Sequence, residues 1–301
     1  MTRSAIVAIL FLVFGLLIIG GWWQPFAPAF PDRQPLATQR PNLNLQLSAY
    51  RGASLDAPEN TIPAIEAAIK RGAAWVELDV RYTSDGVPVL FHDADVSRTT
   101  NGTGLLEYFS LQELQTLDAG SWFNESFAGT RVPTLEEALE ILQGKVCVYW
   151  DAKGLPAQRA VELFQQYGFE RNCLVVNIYN EWDNILHLLW PDAPLIHVAG
   201  HLDQLPVLIN NQPWLAAVRL TPQQLNEPLV NAAHTRGLKV FVRVKETGDA
   251  ALTYINYAAA GGADVITLAD LDVFNEWRVS QQESVDGQID VVIQPEALIR
   301  P

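Results

Sequence analysis

The chain has 301 residues, 49% of them hydrophobic and 18% charged, which describes a globular protein with ample core and argues against general disorder. Its formal net charge of -14 argues against nucleic acid as a partner, because phosphate backbones are bound through basic surface. An anionic substrate would need a local source of attraction, such as a divalent cation with one or two basic residues beside it.

Residues 5–23 carry no charge and would span roughly 28 Å as a helix at about 1.5 Å per residue, enough to cross a bilayer. Arg3 precedes this run, and Trp22 and Trp23 close it like interfacial anchors. Residues 1–23 therefore read as an N-in transmembrane signal anchor that carries the rest of the chain out of the cytoplasm. The alternative is a cleaved signal peptide with Ala27-Pro28-Ala29 as an imperfect small-residue site, giving a secreted or periplasmic product. Residues 24–46, rich in Pro, Gln and Asn, read as a linker.

Beyond the linker, short apolar runs alternate with helical patterns. Residues 47–51 form a strand candidate, and residues 61–71 place Ile62, Ile65, Ala68 and Ile69 at helical spacing, with Asn60 or Thr61 as N-cap and Gly72 as the stop. Residues 75–80 are the next strand, and Ser84-Asp85-Gly86 signals a hairpin from which residues 87–92 run back. Residues 94–133 have the turn chemistry of an insertion, with one short helix at 111–117. Thr134 and Glu137 make a capping box, followed by a strand over 146–153. Further strands are expected near 173–177, 195–198, 216–220, 239–244 and 264–268.

Eight strands alternating with helices predict a (β/α)8 TIM barrel over residues 47–277, with a hairpin and insertion at about 81–133 and a C-terminal tail, 278–301, without a clear role. The only cysteines, Cys147 and Cys173, lie in apolar strand-like runs and read as two small buried hydrophobes, since a disulfide would require their strands to be neighbours.

Glu77 and Asp79 are two apart on one strand, so their side chains share a face. Two carboxylates that close repel one another unless a cation sits between them, and oxygen-only ligands favour Mg2+ or Ca2+. Asp151 and Lys153 repeat the spacing on another strand, and His92 ends the hairpin strand, where it could act as a general acid. His187, His197, His201 and His234 fall in no such pattern and read as structural.

The ordered run Tyr50-Arg51-Gly52, Pro58-Glu59-Asn60-Thr61, Glu77-Leu78-Asp79 and His92-Asp93 resembles the glycerophosphodiester phosphodiesterase family, whose pattern is His-Arg-Gly, Pro-Glu-Asn-Thr, Glu-Leu-Asp and His-Asp. The resemblance is nearly continuous from residue 49 to 153 and thinner beyond. It implies a barrel enzyme that hydrolyses glycerophosphodiesters, or a related small phospholipid-derived substrate, to glycerol 3-phosphate and an alcohol. By the same resemblance Glu77, Asp79 and Asp151 would hold a divalent metal, Arg51 and Lys153 would face the phosphate, Glu59 would support the site, and His92 with position 50 would handle protons. The chain departs at Tyr50 (family His), Asp151 (family Glu) and Arg243 (family Trp). The Tyr50 departure carries the alternative expectation of a non-catalytic metal- and phosphate-binding domain at a membrane surface.

Overall fold

Strands of a closed parallel sheet are buried on both faces and need near-continuous apolar runs. The computed structural model, which describes residues 42–155, 158–170, 172–178, 182–198 and 214–292, turns those runs into β1 (Gln46–Ala49), β2 (Trp75–Tyr82), β3 (Pro88–Leu90), β4 (Cys147–Ala152), β5 (Leu174–Asn177), β6 (Leu195–Val198), β7 (Leu215–Leu220), β8 (Lys239–Arg243) and β9 (Val265–Leu268). All pair in parallel except β3, which returns antiparallel along β2. Because β1 pairs with both β2 and β9, the eight parallel strands close into the expected barrel. The described residues belong to one unit, Gln39–Pro301.

Between the strands run α1 (Ile62–Lys70), α2 (Leu111–Leu114), α3 (Leu135–Leu142), α4 (Gln158–Gln166), α5 (Asp183–Leu189), α6 (Glu227–Thr235), α7 (Gly248–Ala260) and α8 (Leu271–Val292). Thr61, not Asn60, caps α1: its hydroxyl accepts from the Ala64 N–H. Thr134 and Glu137 form the capping box of α3. The final helix runs past Trp277, burying Leu271, Phe274 and Trp277 at helical spacing. The main core lies between sheet and helices, and within the barrel Trp75, Tyr149, Val175, Ile196, Phe241 and Val265 build an apolar floor. Trp75 and Tyr149 both meet the Phe241 ring, with centroids 5.3 and 5.8 Å away.

The insertion has an interior of its own. Val96, Leu106, Leu114, Ala119 and Val132 pack on Val89 and Phe91 of the hairpin, so the segment following His92 is held as a small folded lobe.

The expected anchor at residues 5–23 lies outside the described residues; among those, no helix is long and apolar enough to cross a membrane. The reading of the two cysteines requires correction. Cys147 and Cys173 are half-buried and joined by a disulfide, because β4 and β5 are neighbours and the two Cα atoms stand 4.5 Å apart. Closing a loop of 26 residues stabilises the fold by about 3.5 kcal/mol in the chain-entropy account. The double substitution Cys147→Ser, Cys173→Ser should therefore lower the melting temperature by several degrees. Thiol titration of denatured, non-reduced protein should find no free thiol, and two titratable thiols would refute the bond.

Candidate active site

The barrel interior changes character along each strand. On β2 the inward positions read Trp75, Glu77, Asp79 and Arg81, so the face climbs from apolar floor to acid to base. Registration of β2 on β4 sets Asp79 beside Asp151, and Asp151 lies beside Asn177 of β5. Oxygen atoms of Glu77, Asp79 and Asp151 consequently lie within 4.8 Å of one another, all three residues buried.

Three carboxyl groups in a water-poor place must be balanced. Lys153 Nζ donates to Asp151 Oδ2 at 2.9 Å and lies 3.1 Å from Asp79 Oδ1. Burial alone would lower the lysine's pKa, but Asp79 and Asp151 outweigh it and hold the ammonium above its ordinary value. Arg51 Nε lies 3.2 Å from Asp79 Oδ2, and the Arg51 backbone N–H donates to Glu77 Oε2 at 2.8 Å. That last contact requires a sharp reversal after β1, with Arg51 at φ 54° and Gly52 at φ 79°. A side chain at Gly52 would meet the Ala64 Cβ at 2.8 Å, so only glycine fits.

Even so, Glu77 Oε1 has no hydrogen-bond partner, and Asp79 Oδ1 has only the lysine ammonium nearby without hydrogen-bond geometry. Burial, then the Asp79 and Asp151 carboxylates, push Glu77 up to about 8. Orphaned, buried, convergent carboxylate oxygens are the donor set of a hard divalent cation, and the site fits one. Asp151, although one methylene shorter than glutamate, reaches the cluster.

A chain of charged contacts joins this centre to His92. The His92 Nδ1 lies 2.5 Å from Asp93 Oδ1, which orients the ring and leaves Nε2 for chemistry. Arg98 grips Asp93 with its Nε and Glu59 with both terminal nitrogens, at 3.0 and 2.7 Å. Glu59 in turn accepts from Arg51 Nη1 at 2.8 Å. The Arg98 contact, then His92, holds the Asp93 carboxyl at about 2, so it stays ionised across the physiological range.

Several members of this arrangement were not assigned from sequence. Asn60 reads there as a helix cap, yet its side chain donates to Asp79 Oδ2 at 2.7 Å and accepts from the Asp79 backbone N–H at 3.1 Å, holding that residue by side chain and main chain together. Its φ of 56° explains why asparagine suits the position. Arg81 donates to the carbonyls of His92 and Lys153, at 2.9 and 3.2 Å, tying the hairpin strand to β4. The period-two face of β2 could have pointed to it. Arg98 lay in loop-forming sequence with no spacing signal, and Asn177, which donates to Asp151 Oδ1 at 3.0 Å, required the barrel order.

Tyr50 is held between two guanidinium groups, with Arg51 Cζ 4.6 Å and Arg243 Cζ 4.3 Å from its ring centroid. Burial, aided by Glu77 and Asp79 and opposed by Arg243 and Arg51, raises its pKa further above 10. At neutral pH the group is a phenol, able to donate a hydrogen bond but not to take a proton as a base. The three expected ligands, the two phosphate-side bases, Glu59 and Tyr50 are thus in direct or one-residue contact, with His92 linked through Asp93 and Arg98.

The profile of the Glycerophosphoryl diester phosphodiesterase family matches residues 51–208. A Glycerophosphodiester phosphodiesterase of Caldanaerobacter subterraneus subsp. tengcongensis is 35% identical over 207 residues, 64% of this chain and 82% of its own. The crystal structure of a glycerophosphodiester phosphodiesterase from Agrobacterium tumefaciens is 32% identical with a TM-score of 0.69, covering 76% of this chain and 98% of its own. A phosphodiesterase of Oleispira antarctica, solved in complex with the product sn-glycerol-3-phosphate, is 26% identical with a TM-score of 0.65, covering 78% of this chain and 96% of its own.

The raised Glu77 carboxyl sets a pH dependence. Between about 4.5 and about 8 the folded protein keeps a proton that the unfolded chain has lost, so metal-free stability should fall as pH rises through that window. A divalent cation must displace the same proton. Its affinity, measured by calorimetry with Mg2+ or Ca2+, should rise by up to about tenfold per pH unit and level off near pH 8. Glu77→Gln should remove the dependence; an affinity flat from pH 6 to 8 in the parent would show that Glu77 is already ionised.

Proposed function

The chain belongs to the glycerophosphoryl diester phosphodiesterase family, and from that premise we propose that it hydrolyses glycerophosphodiesters to glycerol 3-phosphate and an alcohol. The observation that carries the reading is the set of three buried, convergent carboxylates with unsatisfied oxygens, flanked by Arg51 and Lys153. Glu77, Asp79 and Asp151 would hold a hard cation, Mg2+ or Ca2+, which would supply Lewis acidity when bound. Arg51 and Lys153 face the phosphate and offset the charge that accumulates on it. His92, fixed by Asp93 through Nδ1, hands a proton from Nε2 to the departing alkoxide. Arg98 and Glu59 keep that imidazole and Arg51 in one frame.

Tyr50 stands where a second proton carrier would act. As a phenol it orients a substrate oxygen by donating a hydrogen bond, and it leaves attack without a base of its own. A purely binding role would explain Tyr50 but gives no reason for the held His92-Asp93 pair.

The Cys147–Cys173 disulfide supports a location outside the reducing cytoplasm. Residues 5–23 serve in this reading as the membrane anchor.

Release of glycerol 3-phosphate from sn-glycero-3-phosphoglycerol and sn-glycero-3-phosphocholine, followed with Mg2+ or Ca2+, tests the proposal. Turnover should be slow and strictly metal-dependent, and His92→Ala should reduce kcat by roughly 10² or more. Tyr50→His should raise kcat by about tenfold or more, since an imidazole titrates near 6.5 and the two flanking guanidiniums would keep it neutral. Absence of any turnover in metal-supplemented parent and in Tyr50→His alike would favour the binding-only reading. Fast turnover that Tyr50→His lowers would make Tyr50 an adapted catalytic residue.

A further inference from the structure

Beside the carboxylate centre, at the C-terminal ends of β7 and β8, lies a cavity of about 310 Å³ bounded by Arg219, Thr221, Arg243, Lys245 and Glu246 among others. Its cations are paired differently from Arg51 and Lys153 at the carboxylate centre. Arg51, Arg71, Arg98, Arg159 and Lys153 each have a carboxylate within 4.0 Å. Arg219 and Arg243 are half-buried and, among the described residues, have none. What each meets is a tyrosine. Arg219 Nη1 donates to the hydroxyl of the buried Tyr149 at 2.6 Å. Arg243 lies over the Tyr50 ring. Lys245 adds a third cation at the exposed rim, against one acid, Glu246, whose Oε2 accepts the Lys245 backbone N–H at 3.0 Å.

Partly desolvated guanidinium groups with no carboxylate in direct contact are costly to hold, and an anionic ligand relieves that cost. A cationic head group is disfavoured here: the Tyr50 ring, which would otherwise stack on a quaternary ammonium, is flanked by the Arg51 and Arg243 guanidiniums. We infer that this cavity is a second anion subsite, formed by Arg219, Arg243 and Lys245, and that the preferred substrate is a phosphodiester bearing a further phosphate or carboxylate beyond the scissile group. The inference rests on the hydrolytic reading above and adds the substrate class to it. Arg243 is the link between the two places, since it touches both Tyr50 and the cavity.

Matched pairs of diesters test it. Glycerophosphoinositol 4-phosphate against glycerophosphoinositol differs by one phosphate, and glycerophosphoserine against glycerophosphoethanolamine by one carboxylate. In at least one pair the more anionic member should have a kcat/KM higher by about tenfold, the worth of one charge-assisted contact, and the pair identifies which anion is taken. That ratio should shrink with added salt and fall toward unity in Arg243→Gln and, on the exposed rim where folding is not at stake, in Lys245→Gln. Both pairs within about twofold in the parent, or a ratio untouched by either substitution, would overturn the subsite. Should no diester be turned over, the hydrolytic reading fails by itself, and calorimetric binding of the same four compounds decides the subsite: equal affinities within each pair refute it.

Discussion

Three carboxylates forced together in a place that water barely reaches are the constraint around which the mouth of this barrel is organised. Ionised and alone, they would repel one another through a medium that screens poorly. The chain answers with local devices: the Lys153 ammonium beside Asp79 and Asp151, the Arg51 guanidinium beside Asp79, the Asn60 amide on Asp79 and the Asn177 amide on Asp151. The strained turn at Arg51 and Gly52 exists to aim one backbone N–H at Glu77. What remains unanswered, an oxygen of Glu77 above all, is the room left for a cation.

Two of the three departures at the site, Tyr50 and Arg243, are in contact and belong together. A guanidinium over a phenol is a favourable pairing, whereas a guanidinium beside an ionisable imidazole would oppose its protonation. Exchanging one without the other would leave either an arginine without its aromatic partner or a tyrosine with one face uncovered. The pair also explains how an overall acidic protein presents positive charge where an anion must enter. Steering by the whole molecule's field is unfavourable at a net charge of -14, so capture falls to short-range contacts.

The barrel itself was legible in the sequence because buried parallel strands must be written as apolar runs, and the two-residue spacing of Glu77 with Asp79 and of Asp151 with Lys153 gave the inward face directly. Strand neighbours were harder. The Cys147–Cys173 bond, the Asn177 contact and the meeting of Tyr50 with Arg243 all depend on which strand lies beside which, a property of closure and not of any local pattern. Asn60 was legible as a residue at a helix start but not as a clamp, since the same side chain suits both tasks and only the fold decides. Arg98 ends a single 3-10 turn, Val96–Arg98, too short for its spacing to carry a direction.

The lobe that follows the hairpin has its own small core, and Asp93 and Arg98 stand at its entrance while the carboxylates stand in the barrel wall. Cooperative units of this kind open at different free energies, and a small core is the weaker of the two. Partial melting of the lobe would release Asp93 and let the imidazole of His92 swing free, yet Glu77, Asp79 and Asp151 would keep their places. The molecule would then exist in a form that captures without cutting, reached by loosening one appendage and with no change to the barrel.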